Sequence, residues 1–182
     1  MLKRIILTAN PVFVILAVFV PIGALISANL SGSLALLNYV HVLIGGLWTG
    51  IDLFMGFVLG PVIGGMEPGD KAKIFKRLIP RMTFLMPVLA GVTTTAGFQL
   101  VNQIGYSFIS AKIIAALIIT GILTIQGFGL LLPNEIRIFR QLLSEKPDID
   151  RIAKLGMLNA KLGGVQGIFQ LAIIFDMAII RF

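Results

Sequence analysis

The chain has 182 residues, of which 57% are hydrophobic and only 13% charged, and its mean hydropathy is +0.99. Soluble domains carry about 25% charged residues, so this composition excludes an ordinary water-soluble globule. Cysteine is absent and His41 is the single histidine, which excludes a disulfide framework, a thiolate metal site, a cysteine nucleophile and a zinc site built on several imidazoles. The net charge of +7 sits between apolar runs rather than on one face, which points to membrane topology and away from nucleic acid.

In chain order, Met1-Leu-Lys-Arg precedes an apolar run, which is also how a signal peptide begins. The run from about Pro11 to Leu30 is read as a retained first span with a kink at Pro21. Further spans are expected at 36–59, 81–101, 108–132 and 157–180, each about 20 residues or slightly longer, as a bilayer demands. The runs are continuous rather than alternating, so a membrane barrel is not expected. No internal repeat or low-complexity segment is visible. The loop 133–155 mixes Glu135, Glu145, Asp148 and Asp150 with cations, and reads as a short amphipathic helix followed by a Lys146-Pro147-Asp148 turn.

Five spans place every Lys and Arg except Lys112 and Arg181 on one side of the membrane. That asymmetry predicts a cytoplasmic N-terminus and an external C-terminus in a plasma-membrane protein. The expected fold is therefore all-α. It is a single polytopic membrane domain over 1–182, with a four-helix core plus the N-terminal helix and the lipid bilayer as its first partner.

Polar residues inside spans are the informative ones, because hydrocarbon excludes them unless they are partnered or functional. In the second span His41, Gly45, Trp48 and Asp52 stand at offsets 0, 4, 7 and 11, along one helical face, and Gly46 lies beside the stripe. A glycine there lets a backbone or a flat ligand come close. Counting inward at about 1.5 Å per residue puts His41 roughly 8 Å deep, and Lys112 and Asp176 roughly 6 Å deep, in one outer layer. Asp52, Gln126, Arg81 and Lys161 form a second layer nearer the cytoplasm. Asp52 is expected to form a buried ion pair with Arg81 or Lys161, since an uncompensated buried carboxylate costs several kcal/mol. Snorkelling would also account for Lys161 and Arg81, and Gln166 and Gln170, one turn apart, read as interhelical hydrogen-bonders. No nucleotide-binding glycine motif, Ser-His-acid set or paired carboxylates point to a soluble-enzyme site, and no catalytic residue is assigned.

The stretch His41-Val-Leu-Ile-Gly-Gly-Leu-Trp48-Thr-Gly50-Ile-Asp-Leu-Phe54 resembles the signature helix of two related groups. These are the bacterial membrane-bound protoporphyrinogen oxidases, which are four-helix proteins that bind b-type haem, and the copper-resistance D family. Lys76-Arg77 leading to Arg81, and Lys112 opening span four, match the first group in order. Phe84-Leu-Met-Pro87, Thr93–Gly97 and Gly163-Gly-Val-Gln166-Gly167 are similar to an uncharacterised family of predicted membrane proteins. The resemblance implies haem b with His41 as an axial ligand to its iron, Gly45 and Gly46 admitting the ring, Trp48 at its edge, and Lys112 holding a propionate or substrate carboxylate. Asp176 would partner Lys112 when the site is empty. The oxidases carry further histidines that are absent here, so the resemblance extends to haem binding and not to the oxidase activity. Met, Lys or an open position would face the other side of the iron.

The leading expectation is thus a haem- or porphyrin-binding membrane protein in electron transfer, with membrane redox subunits as partners. The first alternative is a transporter for a small cation, copper or a proton, in which Met82 and Met86 offer soft thioethers and Asp52 a proton path. The second is a non-catalytic accessory helix-bundle subunit.

Overall fold

In hydrocarbon every backbone polar group must find its partner within the protein, and a helix does this within its own segment. The computed structural model describes residues 2–181, with side chains from Lys3 to Ile179, and no strand occurs among them. Helix α1 (Leu2–Ala9) is short and amphipathic, burying Ile5 and Ala9 while Lys3 and Arg4 stay exposed. A corner at Asn10, whose side-chain oxygen accepts the Val12 N–H at 3.0 Å, starts α2 (Pro11–Ser31). Helix α2 runs unbroken through the buried Pro21 and ends on Gly32, which takes the left-handed φ of 62° that closes a helix cheaply only in glycine.

Helix α3 (Leu34–Leu53) starts on a Ser33 cap, widens into a π-helical segment, π1 (Phe54–Leu59), and continues as α4 (Gly60–Gly64). The fourth span has the same plan: α6 (Ala111–Gln126), then π2 (Gly127–Leu131), then α7 (Leu132–Leu142). A proline stands at the start of each continuation, Pro61 and Pro133. Proline lacks an N–H and crowds the carbonyl four residues back, so the turn before each is widened. Helices α5 (Pro68–Ile104) and α8 (Ile149–Arg181) are unbroken.

Five of these rods are long and apolar enough to cross a membrane, as expected: Pro11–Ser31, Leu34–Gly64, Pro68–Ile104, Ala111–Leu142 and Ile149–Ile179. Their faces toward lipid carry exposed Phe19, Ile125 and Phe175, at 67%, 73% and 69% exposure, which water would not tolerate so densely.

The helices overrun the expected spans. Helix α5 begins at Pro68 rather than near Arg81 and has 37 residues, about 56 Å at 1.5 Å each against a hydrocarbon core of about 30 Å. The short amphipathic helix expected after 133 is present as far as Leu142 and the turn follows it, but the helix continues the fourth span instead of lying apart from it, and α8 already starts at Ile149. These extensions are held by a second apolar core at the basic end, made of Ile63, Ala72, Phe75, Ile79, Ile138 and Ile152. The main core, around Leu37, Ile44, Trp48, Leu89, Val92 and Ala96, lies between α3 and α5. Helix α8 packs on α3, α5, α6 and α7, and α2 lies outside this four-helix core against α3 and α5.

Candidate functional site

Helix α8 brings small residues to α3 and π1. A Cβ added at Gly56 would fall on the Gly164 backbone, one at Gly164 would sit 2.9 Å from the Gly56 Cα, and one at Gly167 would sit 2.7 Å from the Leu53 side chain. The two backbones touch, as small residues permit between membrane helices. That contact places Asp52 beside Gly163, where a Cβ would stand 3.3 Å from Asp52 Oδ1.

Asp52 is 3% exposed, and its Oδ2 accepts a hydrogen bond from Gln170 Nε2 at 2.9 Å. Trp48, one turn back on the same helix, is buried beside it on the cavity wall. The expected ion pair with Arg81 or Lys161 is not formed. Lys161 points outward from α8 and is exposed. Arg81 turns back to donate to the Arg77 carbonyl at 2.7 Å, with its guanidinium 5.9 Å from the centre of the Phe13 ring. An amide satisfies the carboxylate without bringing a second long cationic side chain out of water, which is the costlier arrangement. Among the described residues the only ion pair is the exposed Lys73–Asp70 contact at 2.8 Å.

Asp52 and Trp48 form the inner wall of a cavity of about 300 Å³, within the range of small-ligand sites. Its other walls are Met55 from π1, Phe75 to Thr95 from α5, Leu123 to Glu135 from α6, π2 and α7, and Gly156 to Gln166 from α8. Glu135 closes the basic end, its Oε2 accepting from the Thr83 hydroxyl at 2.7 Å. Residue 135 follows Asn134, whose side chain donates to Asn159 on α8 at 3.0 Å. Asp52 lies beside Gly163, four residues along α8, so the two acids differ in depth by roughly 6 Å. Met55, Met82 and Met86 bring thioethers to the same space.

Amides stitch the opposite wall. Gln126 Nε2 donates to the Leu162 carbonyl at 2.7 Å, and Gln166 Nε2 reaches the Leu123 carbonyl at 3.4 Å in return. Asn159 Nδ2 donates at 3.1 Å to the carbonyl of Leu131, at the end of π2. Gln166 and Gln170 therefore bridge helices.

The outer layer is assembled only in part. The His41 ring lies against α5 at Gly97, with its Nδ1 2.9 Å from the Thr93 carbonyl. A carbonyl only accepts, so Nδ1 carries the proton and Nε2 is left with a lone pair. Gly45 meets Thr93 on the same helix, and Gly46 faces outward. Lys112 lies level with the end of α8 but donates to the Ile179 carbonyl at 2.8 Å, not to Asp176. Asp176 Oδ2 is buried without a protein donor, as are Gln99 Oε1 and Gln170 Oε1. Helix α3 packs on α2, α5 and α8 whereas α6 packs chiefly on α8, so His41 and Lys112 do not share an interface, and His41 does not line the cavity.

Sequence reasoning placed Trp48 and Asp52 inside and missed Glu135, read only as a loop acid, together with Met55 and Gly56. The available signal for Glu135 was its place two residues after Pro133, at the end of a hydrophobic run. No family model matches the chain, and neither a curated protein nor a solved structure resembles it closely enough to assign a family.

Proposed function

We propose that this integral membrane protein binds a small cation in the cavity between its helices and carries it across the bilayer. The observation that carries this reading is that Asp52 and Glu135 face one cavity and neither is ion-paired. Ionisable groups held inside a membrane bundle mark ligand and ion pathways, and low surrounding polarity strengthens the attraction of a carboxylate for a cation. Thioethers, hydroxyls and amides around the two acids add neutral ligands and impose no competing positive charge. In this reading the basic end faces the cytoplasm, the side that an excess of Lys and Arg favours.

The test is flux into proteoliposomes of a panel of monovalent cations that includes protons and copper(I). Saturable flux above that of empty vesicles is expected, falling about tenfold or more in Asp52→Asn, equivalent to about 1.4 kcal/mol. Flux equal to that of empty vesicles for every ion would overturn the reading.

A second reading, haem b at His41 in electron transfer, has one observation in its favour. The Thr93 carbonyl holds Nδ1–H and leaves Nε2 as the ligating nitrogen, the arrangement that orients metal-binding histidines. Reduced and oxidised absorption spectra of protein expressed with ample haem test it, beside His41→Ala. Colourless wild-type protein would remove it.

A further inference from the structure

Three of the four seams around the core helices are closed, and one is not. The second span meets α8 backbone to backbone at Gly56 of π1 and Gly164, α3 packs along α5, and α6 is stitched to α8 by amides. Helices α5 and α6 are joined by a short turn at one end, and α5 reaches α7 at the other, but no extensive packing joins α5 to α6 themselves.

The cavity lies behind this seam. Gly91 and Thr95 on α5, Thr124 on α6 and Phe128 on π2 line the cavity and are themselves exposed. Exposed residues that line a cavity mark where it opens. At Gly91 a Cβ would meet nothing within 4 Å, so there is free space at its edge. In a chain that spans a bilayer, a mouth at the middle of the fourth span, Ala111–Leu142, opens on lipid.

We infer that the cavity takes an amphiphilic organic cation, a charged head on a flat aromatic or short alkyl body, which enters sideways from the membrane between α5 and α6. This rests on the cation reading above. Asp52 waits at the inner wall for the head. The Trp48, Phe75 and Phe128 rings and the three thioethers offer polarisable, adaptable surface for the body. A bare metal ion needs a compact donor set, and the two acids stand at different depths on helices α3 and α7. The aqueous route is also unfavourable to a cation, because Lys and Arg outnumber the acids at the basic end. A molecule already partitioned into lipid avoids that field.

The experiment is equilibrium binding to the protein in lipid nanodiscs, with hexylpyridinium as the probe and hexylbenzene as its neutral counterpart of the same shape. Saturable binding of hexylpyridinium is expected, with hexylbenzene and the Asp52→Asn variant each weaker by about tenfold or more. Gly91→Phe, which fills the mouth, is expected to slow the approach to saturation several-fold. Equal binding of the two probes would overturn the inference, since the cavity would then select for apolar shape alone. This comparison needs only the wild-type protein and so survives a variant that fails to fold. Unchanged binding kinetics in folded Gly91→Phe would overturn the sideways route. If protons or copper(I) cross the membrane in an Asp52-dependent manner while hexylpyridinium does not bind, the inference falls and the proposed function stands. If no cation binds or crosses, both fall.

Discussion

The α3–α8 seam and the α5–α6 seam are built from similar residues to opposite ends. Both contain glycine at the point of interest. On the first, Gly56 and Gly164 let the backbones touch, with nothing larger than hydrogen able to stand between them. On the second, Gly91 faces no atom within 4 Å and borders a cavity of about 300 Å³. A small residue in a membrane helix thus permits either contact or vacancy, and the partner helix decides which. Helix α8 offers Ala160, Gly163, Gly164 and Gly167 in return, whereas α6 and π2 offer Leu123, Thr124 and Phe128.

The contrast is open to measurement. The largest effect is expected from Gly56→Ala, because its Cβ would collide with backbone that no rotamer change can move. A fall in stability of about 3 kcal/mol is expected, at the upper end of overpacking costs, and would appear as a large drop in thermal midpoint in detergent. A midpoint unchanged from wild type would mean the seam is looser than described. Next, Gln170→Leu leaves the buried Asp52 carboxyl without its amide donor and should cost about 1–3 kcal/mol. Adding Asp52→Asn to that variant should recover part of the loss, because a neutral amide is cheaper to bury than a carboxylate. No recovery would separate the stability of α8 from its contact with Asp52. The smallest effect, and of opposite sign, belongs to Gly91→Ala: with free space for the methyl, helix propensity alone should stabilise the chain by about 0.5–1 kcal/mol. A destabilised Gly91→Ala protein would show that α5 and α6 close on each other at this level.

The five spans could be read from the sequence because hydropathy reports the solvent each segment needs, and lipid asks for uninterrupted apolar residues. Helix ends could not be read in this way. Lys71 to Arg77 look like connector residues to a hydropathy argument and Arg137 to Arg140 like a separate amphipathic helix, yet both stretches ride on helices that continue past the bilayer and pack around Phe75 and Ile138. The His41–Asp52 stripe was legible from its spacing, and Trp48 and Asp52 do point inward. The partner of Asp52 was sought among cations, because charge is conspicuous in a sequence. Gln170, already recognisable as an interhelical hydrogen-bonder, satisfied it instead. The cavity had no signature in either of its helices alone. It arises where α5 and α6 do not pack on each other, while each packs on α8.

The π segments carry a consequence for how the second and fourth spans are phased. A π turn accommodates one residue more than an α turn, so everything beyond it is rotated by about 100° relative to an uninterrupted α-helix. In the fourth span this offset falls between Gln126, which faces α8, and Glu135, which faces the cavity. Shortening 127–131 by one residue would leave Gln126 where it is and swing Glu135 off the cavity wall. The orientation of Glu135 against the amide seam is therefore set by the count of residues between them, a quantity that insertion and deletion change and substitution does not.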